Sequence, residues 1–326
     1  MTGDLTPVPR LPAGLTAADV DRIAAAAAAS RSPATRRAYS SAWRGWESWC
    51  AGRGVPPIPA DPVLVAARIT ELAEAGRSTS TIDVLLAALR AVHRDAGLDS
   101  PTADAGVERV RAGLRRRTGT APRHQAHPLT TEEIRRIVVT IDADSLRGKR
   151  DRALILVGFA AALRRSEIVG LRVNDLAWRS QGIVMTIRRS KGDQEGVGQI
   201  VGIARGQHRE TDPMAAVRLW LTGAELSAGD PLFCPVAWSD RRAIIRPLSG
   251  ADVSRILRGR AADAGLGDLP ISGHSLRAGH ATVAAEHGVP AERIARTTRH
   301  ANLATLARYV RPGQVLGDTS SADLGL

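Results

Sequence analysis

RGKRDRALILVGFAAALRRSEIVGLRVNDL (147–176) is the stretch from which the rest of the chain can be ordered. Its first part, 147–163, is largely apolar and shows no single polar face. That pattern predicts a helix at the centre of a core, not one lying on a surface. RRSEIVGLRVNDL then predicts a short helix leading into a turn. Downstream, WRSQGIVMTIRRSKGDQEGVGQIVGIA (178–204) alternates β-branched residues around a Gly-rich turn. This predicts a small antiparallel sheet with Lys191 at the tip region of a hairpin. Helices return at Asp212-Pro213 and are expected to continue nearly to the end. Upstream, Thr130 and Glu133 have the spacing of a capping box that opens this half of the chain.

The first half reads as a separate helical unit. Residues 1–17 are rich in Pro and Gly and are expected to be loosely ordered. An Ala-rich helix follows at 18–29. Ser32-Pro33 has the pattern of an N-cap and first helical residue. In the helix it opens, Tyr39, Trp43, Trp46 and Trp49 recur at steps of three and four, a face suited to core packing. Asp61-Pro62 opens a helix ending near Gly76. TIDVLLAALRAVHRDAG (81–97) is another helix with its stop at Gly97, and a last one covers about 103–116. RRRTGTAPRHQAHP (115–128) is basic, polar and aperiodic, and reads as an interdomain linker. The expected units are a flexible terminus (1–17), a helical domain (18–118), a linker (119–128) and a second domain (129–326).

Composition narrows the function. The chain has 326 residues, a net charge of +12 and 44% hydrophobic residues, which fits a globular protein with a polyanionic partner, nucleic acid ahead of membrane. No apolar run is long enough to span a bilayer, and no signal-peptide layout opens the chain. A cytoplasmic location is the default. Cys50 and Cys234 lie far apart and are expected to be free thiols. Among the 45 basic residues only Lys149 and Lys191 are lysine, so a lysine here stands out as a group able to give up a proton. No Walker-type or dinucleotide-binding loop occurs. His280 and His287 lack the carboxylates or cysteines of a metal site and are assigned to structure or to proximity to DNA.

Four clusters in the second half carry chemical potential. Arg164 and Glu167 are three apart on one helical face, beside Arg165. Lys191 sits on the hairpin. His274 and Arg277 are three apart in SGHSLRAGH. His300 and Tyr309 bracket RHANLATLARY. Singly each is weak, since an Arg–Glu pair is usually a surface salt bridge. As a set they suit metal-free phosphoryl transfer. Arginine forks match the charge on non-bridging oxygens, tyrosine supplies a nucleophile, and lysine and histidine move protons.

This set resembles the tyrosine recombinase (phage integrase) family over almost the whole chain. ALRRSEIVGLRVNDL resembles its first Arg box, SKGDQ its hairpin Lys element, HSLRAGH its His-x-x-Arg box and RHANLATLARYV its final box. SPATRRAYSSAWRGWESWC (32–50) is similar to the start of its N-terminal DNA-clamping domain. The resemblance implies a mainly α fold, with an N-terminal helical bundle and a mainly helical catalytic domain carrying a small antiparallel β-sheet. It implies a site-specific DNA recombinase acting in integration, excision or resolution. Tyr309 would attack the scissile phosphate to give a 3′-phosphotyrosyl link. Arg164 and Arg277 would hold the non-bridging oxygens, and Lys191 would protonate the 5′-hydroxyl. His274 would assist proton transfer, His300 would bond the phosphate, and Glu167 would orient its neighbours. No cofactor or metal is implied. The partners would be double-stranded recombination sites gripped by a C-shaped clamp and bound by a homo-tetramer.

Candidate DNA contacts are Arg36, Arg37, Arg90, Arg115, Arg116, Arg117 and Arg189, each equally compatible with solvated surface. About thirty residues precede the SPATRRAY helix, fewer than an arm-binding domain needs, so a recombinase without arm sites is expected. Two departures stand out. Arg299 occupies the place, just before the last histidine, where the family often has Gly, and could distort a tight turn or add a phosphate contact. The seventeen residues after Tyr309 offer only Val315, Leu316, Leu324 and Leu326 as anchors for docking on a neighbouring subunit. A non-catalytic DNA clamp and a type IB topoisomerase or telomere resolvase are the rival readings.

Overall fold

The computed structural model describes residues 15–119, 125–188 and 198–299, in two compact units, Met1–Arg123 and His124–Leu326. The first unit contains α1 (Ala17–Ala29), α2 (Pro33–Ala51), α3 (Pro62–Glu74), α4 (Thr79–Asp95) and α5 (Ala105–Thr118), with a 3-10 turn at Pro101–Ala103. The expected caps are made. Ser32 Oγ accepts the Thr35 N–H at 3.1 Å, and Asp61 accepts that of Val63 at 2.7 Å. Trp46 and Trp49 are buried and stacked with centroids 5.2 Å apart. Their indole N–H groups donate to Pro57 O and to Glu71, so neither aromatic leaves a polar atom stranded. His93 is buried between the Ala60 N–H, which donates to its Nε2, and Leu89 O, which accepts from its Nδ1. Those partners fix one neutral tautomer, and the residue is structural.

The basic stretch that opens at Arg115 begins inside a helix. Arg115, Arg116 and Arg117 form the last turn of α5, which stops at Gly119 with φ +73°. Three cations at a helix C-terminus are favoured by its dipole, so charge extends the helix where apolar periodicity has ended.

The second unit is built around α7 (Leu146–Ala160), in which Ala153, Leu154, Ile155 and Val157 are wholly buried. Around it lie α6 (Thr131–Thr140), α9 (Pro213–Ala224), α10 (Gly250–Asp263) and α11 (Ser275–Glu286). The short α8 (Arg165–Gly170) follows α7, and α12 (Ala291–Thr298) follows α11. Strands β1 (Leu176–Arg179), β2 (Gly182–Ile187) and β3 (Gln199–Ala204) form one antiparallel sheet in that order. Ile183, Met185 and Ile187 of β2 point to the core with Val201 and Ile203 of β3, the period-two pattern of a half-buried sheet. Helix does not run unbroken from Asp212-Pro213: residues 225–249 are irregular. They are tied down by Trp220, whose Nε1–H donates to Leu232 O, and by the buried Phe233 and Leu248.

Two buried charges and a half-buried one meet where α7 packs on α10. Asp151 is 2% exposed, with Arg150 on one carboxylate oxygen at 2.7 Å and Arg260 on the other at 2.8 Å. Removing the shared carboxylate leaves two guanidinium groups facing each other with little solvent. Asp151→Ala is therefore expected to cost about 3–5 kcal/mol of stability, read by urea denaturation. A loss below about 1 kcal/mol would show the cluster to be solvated.

Candidate active site

The site begins where α7 ends. Ala162 is wholly buried and adopts a left-handed conformation with φ +48°, turning the chain out of the helix. The carbonyls of Ala161 and Ala162 then face the interior and need donors, as any buried helix C-terminus does. Arg277 Nη1 donates to Ala162 O at 2.9 Å. Arg299 donates to Ala162 O at 2.9 Å and to Ala161 O at 3.1 Å. Two arginines from remote parts of the chain thus cap one helix end.

Close approach between helices makes this possible. A Cβ on Gly158 would lie 2.7 Å from Leu276 Cδ1, so the glycine lets α11 settle on α7. A Cβ on Gly279 would lie 2.0 Å from Leu129 O, so the chain entering the second unit also packs directly on α11. With α11 so placed, Arg277 is 1% exposed and reaches the α7 terminus. His274 stands as the residue preceding α11, with its backbone N–H donating to Ser272 Oγ.

Glu167 organises the other side. Its carboxylate accepts the Arg164 backbone N–H at 2.8 Å and Arg164 Nη1 at 2.7 Å. The same carboxylate accepts Arg299 Nη2 at 2.7 Å, and the Glu167 side chain has no exposed surface. The second arm of Arg164 donates to Arg299 O at 3.1 Å. Arg165, next in sequence, leaves this network and donates to Ser254 Oγ on α10.

The charges set the protonation states. Burial pushes the Glu167 carboxyl up, but Arg299 and Arg164 outweigh it and hold the group below its ordinary value, as a carboxylate. Enclosure by neighbours, then the positive charges of Arg277 and Arg164, push His274 below 6.5. Burial, then Arg277 and Arg299, push His280 down as well, against the bond between its Nδ1 and Phe159 O. Both imidazoles are therefore neutral near pH 7.

The structure brings together four of the residues selected from sequence: Arg164, Glu167, His274 and Arg277. Lys191, His300, Tyr309 and Arg189 lie outside the described residues. Arg299 joins the four and corrects one expectation. It does not reach outward to a phosphate: its side chain is 3% exposed and turned into the protein. Nor is the turn lost, since Arg299 keeps the left-handed conformation, φ +57°, that makes glycine the usual occupant of such a position. A non-glycine residue there costs roughly 1–2 kcal/mol. Its inward role had no local signal in the sequence, because Glu167, Ala161 and Ala162, which it meets there, lie more than a hundred residues away.

In the first unit Arg36 and Arg37 are exposed and line a shallow groove with Pro33, Ser40 and Arg44. Arg44 was not singled out from sequence, although Arg36, Ser40 and Arg44 follow one helical face at steps of four. Arg115, Arg116 and Arg117 are exposed on α5, and Arg115 lies 3.9 Å from Asp83. Arg90 is exposed with its Nε donating to Thr102.

Residues 127–314 match the model of the phage integrase family. The chain is 33% identical over 296 residues to the integrase/recombinase xerD homolog of Selenomonas ruminantium, covering 89% of this chain and 85% of that one. The chain belongs to the phage integrase family. It is 25% identical to the recombinase cre of Escherichia phage P1, over 83% of this chain and 82% of that one. Its fold matches the XerH recombinase in a post-cleavage complex with difH, with TM-score 0.59, 18% identity, and coverage of 82% of this chain and 72% of that one. It also matches a lambda integrase dimer on a COC′ core site, with TM-score 0.59, 17% identity, and coverage of 89% and 75%. As a family member it is a tyrosine recombinase, an enzyme of site-specific recombination.

The protonation states carry a pH signature. His274 and His280 bind protons less readily folded than unfolded, so stability is lost as pH falls below about 6.5. Glu167, shifted down, contributes stability above its unfolded value that disappears at still lower pH. Histidine ring-proton NMR is expected to give midpoints below 6.5 for both residues; a midpoint above 6.5 for His274 would mean that the arginines do not face it.

Proposed function

We propose that this chain cleaves and rejoins double-stranded DNA at a specific site through a 3′-phosphotyrosyl intermediate. The observation that carries the reading is the pairing of a half-buried, carboxylate-oriented Arg164 with Arg277 and a neutral His274 around the end of α7. Two guanidinium forks suit the two non-bridging oxygens of a phosphodiester, whose negative charge grows toward the transition state. Fixing one fork on Glu167 in advance lowers the cost of orienting it during reaction.

The chemistry balances without metal or nucleotide. Tyr309 Oη attacks phosphorus, the P–O5′ bond breaks, and Lys191 gives its proton to the departing 5′-oxygen. His274, being neutral, is able to take up the tyrosine proton, and His300 bonds the phosphate. The phosphotyrosyl link conserves the bond energy. The 5′-hydroxyl of a partner strand then attacks it, and Tyr309 leaves with its proton restored. Exchange between two sites needs four such active sites, which fits a homo-tetramer. A lambda integrase tetramer on a Holliday junction shares the fold, with TM-score 0.59 at 16% identity and coverage of 90% of this chain and 77% of that one.

Exposed Arg36, Arg37 and Arg44 on α2 and Arg115, Arg116 and Arg117 on α5 supply phosphate contacts, with Arg90 and Arg189 as further candidates. Such contacts position the protein but do not read bases, and they make affinity fall steeply with salt. Action in the cytoplasm, where DNA is reached directly, accords with this role.

Covalent trapping on a nicked suicide duplex cut from DNA flanking the gene tests the reading. Wild type is expected to give a denaturation-resistant adduct and Tyr309→Phe none, with DNA binding unchanged. An adduct in Tyr309→Phe would remove Tyr309 as nucleophile. Lys191→Ala is expected to slow cleavage of ordinary DNA and to recover on a 5′-thio leaving group, which needs no proton. Failure to recover would remove Lys191 as the general acid.

A further inference from the structure

We propose that Arg299 is a positioning residue for Arg164, holding that guanidinium in the orientation that meets the scissile phosphate without touching the phosphate itself. The proposal rests on Arg164 being a phosphate ligand, as read above.

Both groups that fix Arg164 belong to Arg299 or are held by it. One arm of Arg164 rests on Glu167, and the other rests on the main-chain carbonyl of Arg299. Glu167 in turn has its second oxygen on Arg299 Nη2. The fork of Arg299 is itself anchored on the carbonyls of Ala161, Ala162 and Thr297. Ala162 O also receives Arg277, so the same fork reaches the supports of both arginines.

A glycine at this position would keep the left-handed turn and the carbonyl that Arg164 uses. It would remove the second cation from Glu167. The carboxylate oxygen that Arg299 holds would then rest on the Arg164 backbone N–H alone, and Arg164 would be the only cation neutralising the group. With Arg299 present, one carboxylate is shared by two guanidinium groups, which leaves a net positive charge beside the phosphate position. Since arginine is strained in this conformation and glycine is not, the side chain is what gives the residue its value there.

The test compares wild type, Arg164→Ala, Arg299→Met and the double variant, as full-length protein on the duplex that wild type cleaves. Each is assayed in single turnover on the phosphodiester and on the same duplex with a methylphosphonate at the scissile position. The methyl removes the negative charge that Arg164 serves. Arg299→Met is expected to slow phosphodiester cleavage at least tenfold with DNA affinity within twofold. It should also lower the ratio of phosphodiester to methylphosphonate rates, as Arg164→Ala does. The double variant should be no slower than Arg164→Ala alone.

Arg299→Gly, whose residue suits the turn, provides a folded second variant and should show the same lowered ratio. Arg299→Lys, charged but lacking the fork, should fall between wild type and Arg299→Met. Wild-type rates in Arg299→Gly, an unchanged ratio, or additive losses in the double variant would each overturn the proposal. A ratio unmoved by Arg164→Ala would instead overturn the assignment of Arg164, a distinguishable failure.

Discussion

A helix whose C-terminus lies inside a protein presents carbonyl groups that no further turn can satisfy, and α7 ends in this way at wholly buried Ala161 and Ala162. Water would serve these carbonyls at a surface, but here the donors have to come from the protein. Arginine suits the position twice over. Its fork reaches more than one carbonyl, and its charge complements the negative end of the helix dipole. Arg277 and Arg299 are therefore drawn to one point by a structural need. The same need concentrates positive charge at the end of α7. Support of the fold and preparation of the site are one set of hydrogen bonds.

Concentrating cations has a cost that Glu167 offsets. Without a carboxylate, Arg164 and Arg299 would repel each other in a medium that screens poorly. With both on one buried carboxylate, each is oriented and the pair keeps a net positive charge. Enclosure by neighbours first, and then the positive charges of Arg277 and this pair, disfavour protonated His274 and His280, so the imidazole beside the arginines remains a group able to accept a proton. Buried ion pairs are weak grounds for stability, but here the arrangement fixes direction, which phosphoryl transfer requires.

Much of the fold was legible in local sequence because its signals are local. Ser32-Pro33, Asp61-Pro62, the Thr130–Glu133 box and the largely apolar stretch 147–163 each specify an end or a face by chemistry within a few residues. Other stretches lack such signals. Arg115–Arg117 carry no apolar periodicity, yet Leu114 anchors the helix just before them and the dipole favours their charge. The irregular stretch 225–249 is held by contacts that no periodicity encodes. At the site, Arg164 with Glu167 and His274 with Arg277 were visible as pairs three apart on a helix. Arg299 was visible only as an oddity, because whether a side chain turns in or out at a left-handed residue depends on groups far away in sequence.

The same residue type does opposite things in the two units, and this limits what net charge can say. In the first unit Arg36, Arg37, Arg44 and Arg116 stand in solvent, where a cation keeps its hydration. In the second unit Arg150, Arg277 and Arg299 are buried, and each has taken a carboxylate or helix-end carbonyls in place of water. A count of arginines adds the two kinds together. What separates them is the surroundings: a carboxylate buried beside them, a glycine that lets helices close, or a carbonyl that has lost its own helix. Arginine can play both parts because its charge persists when buried and its planar fork meets carboxylate, carbonyl and phosphate with the same geometry.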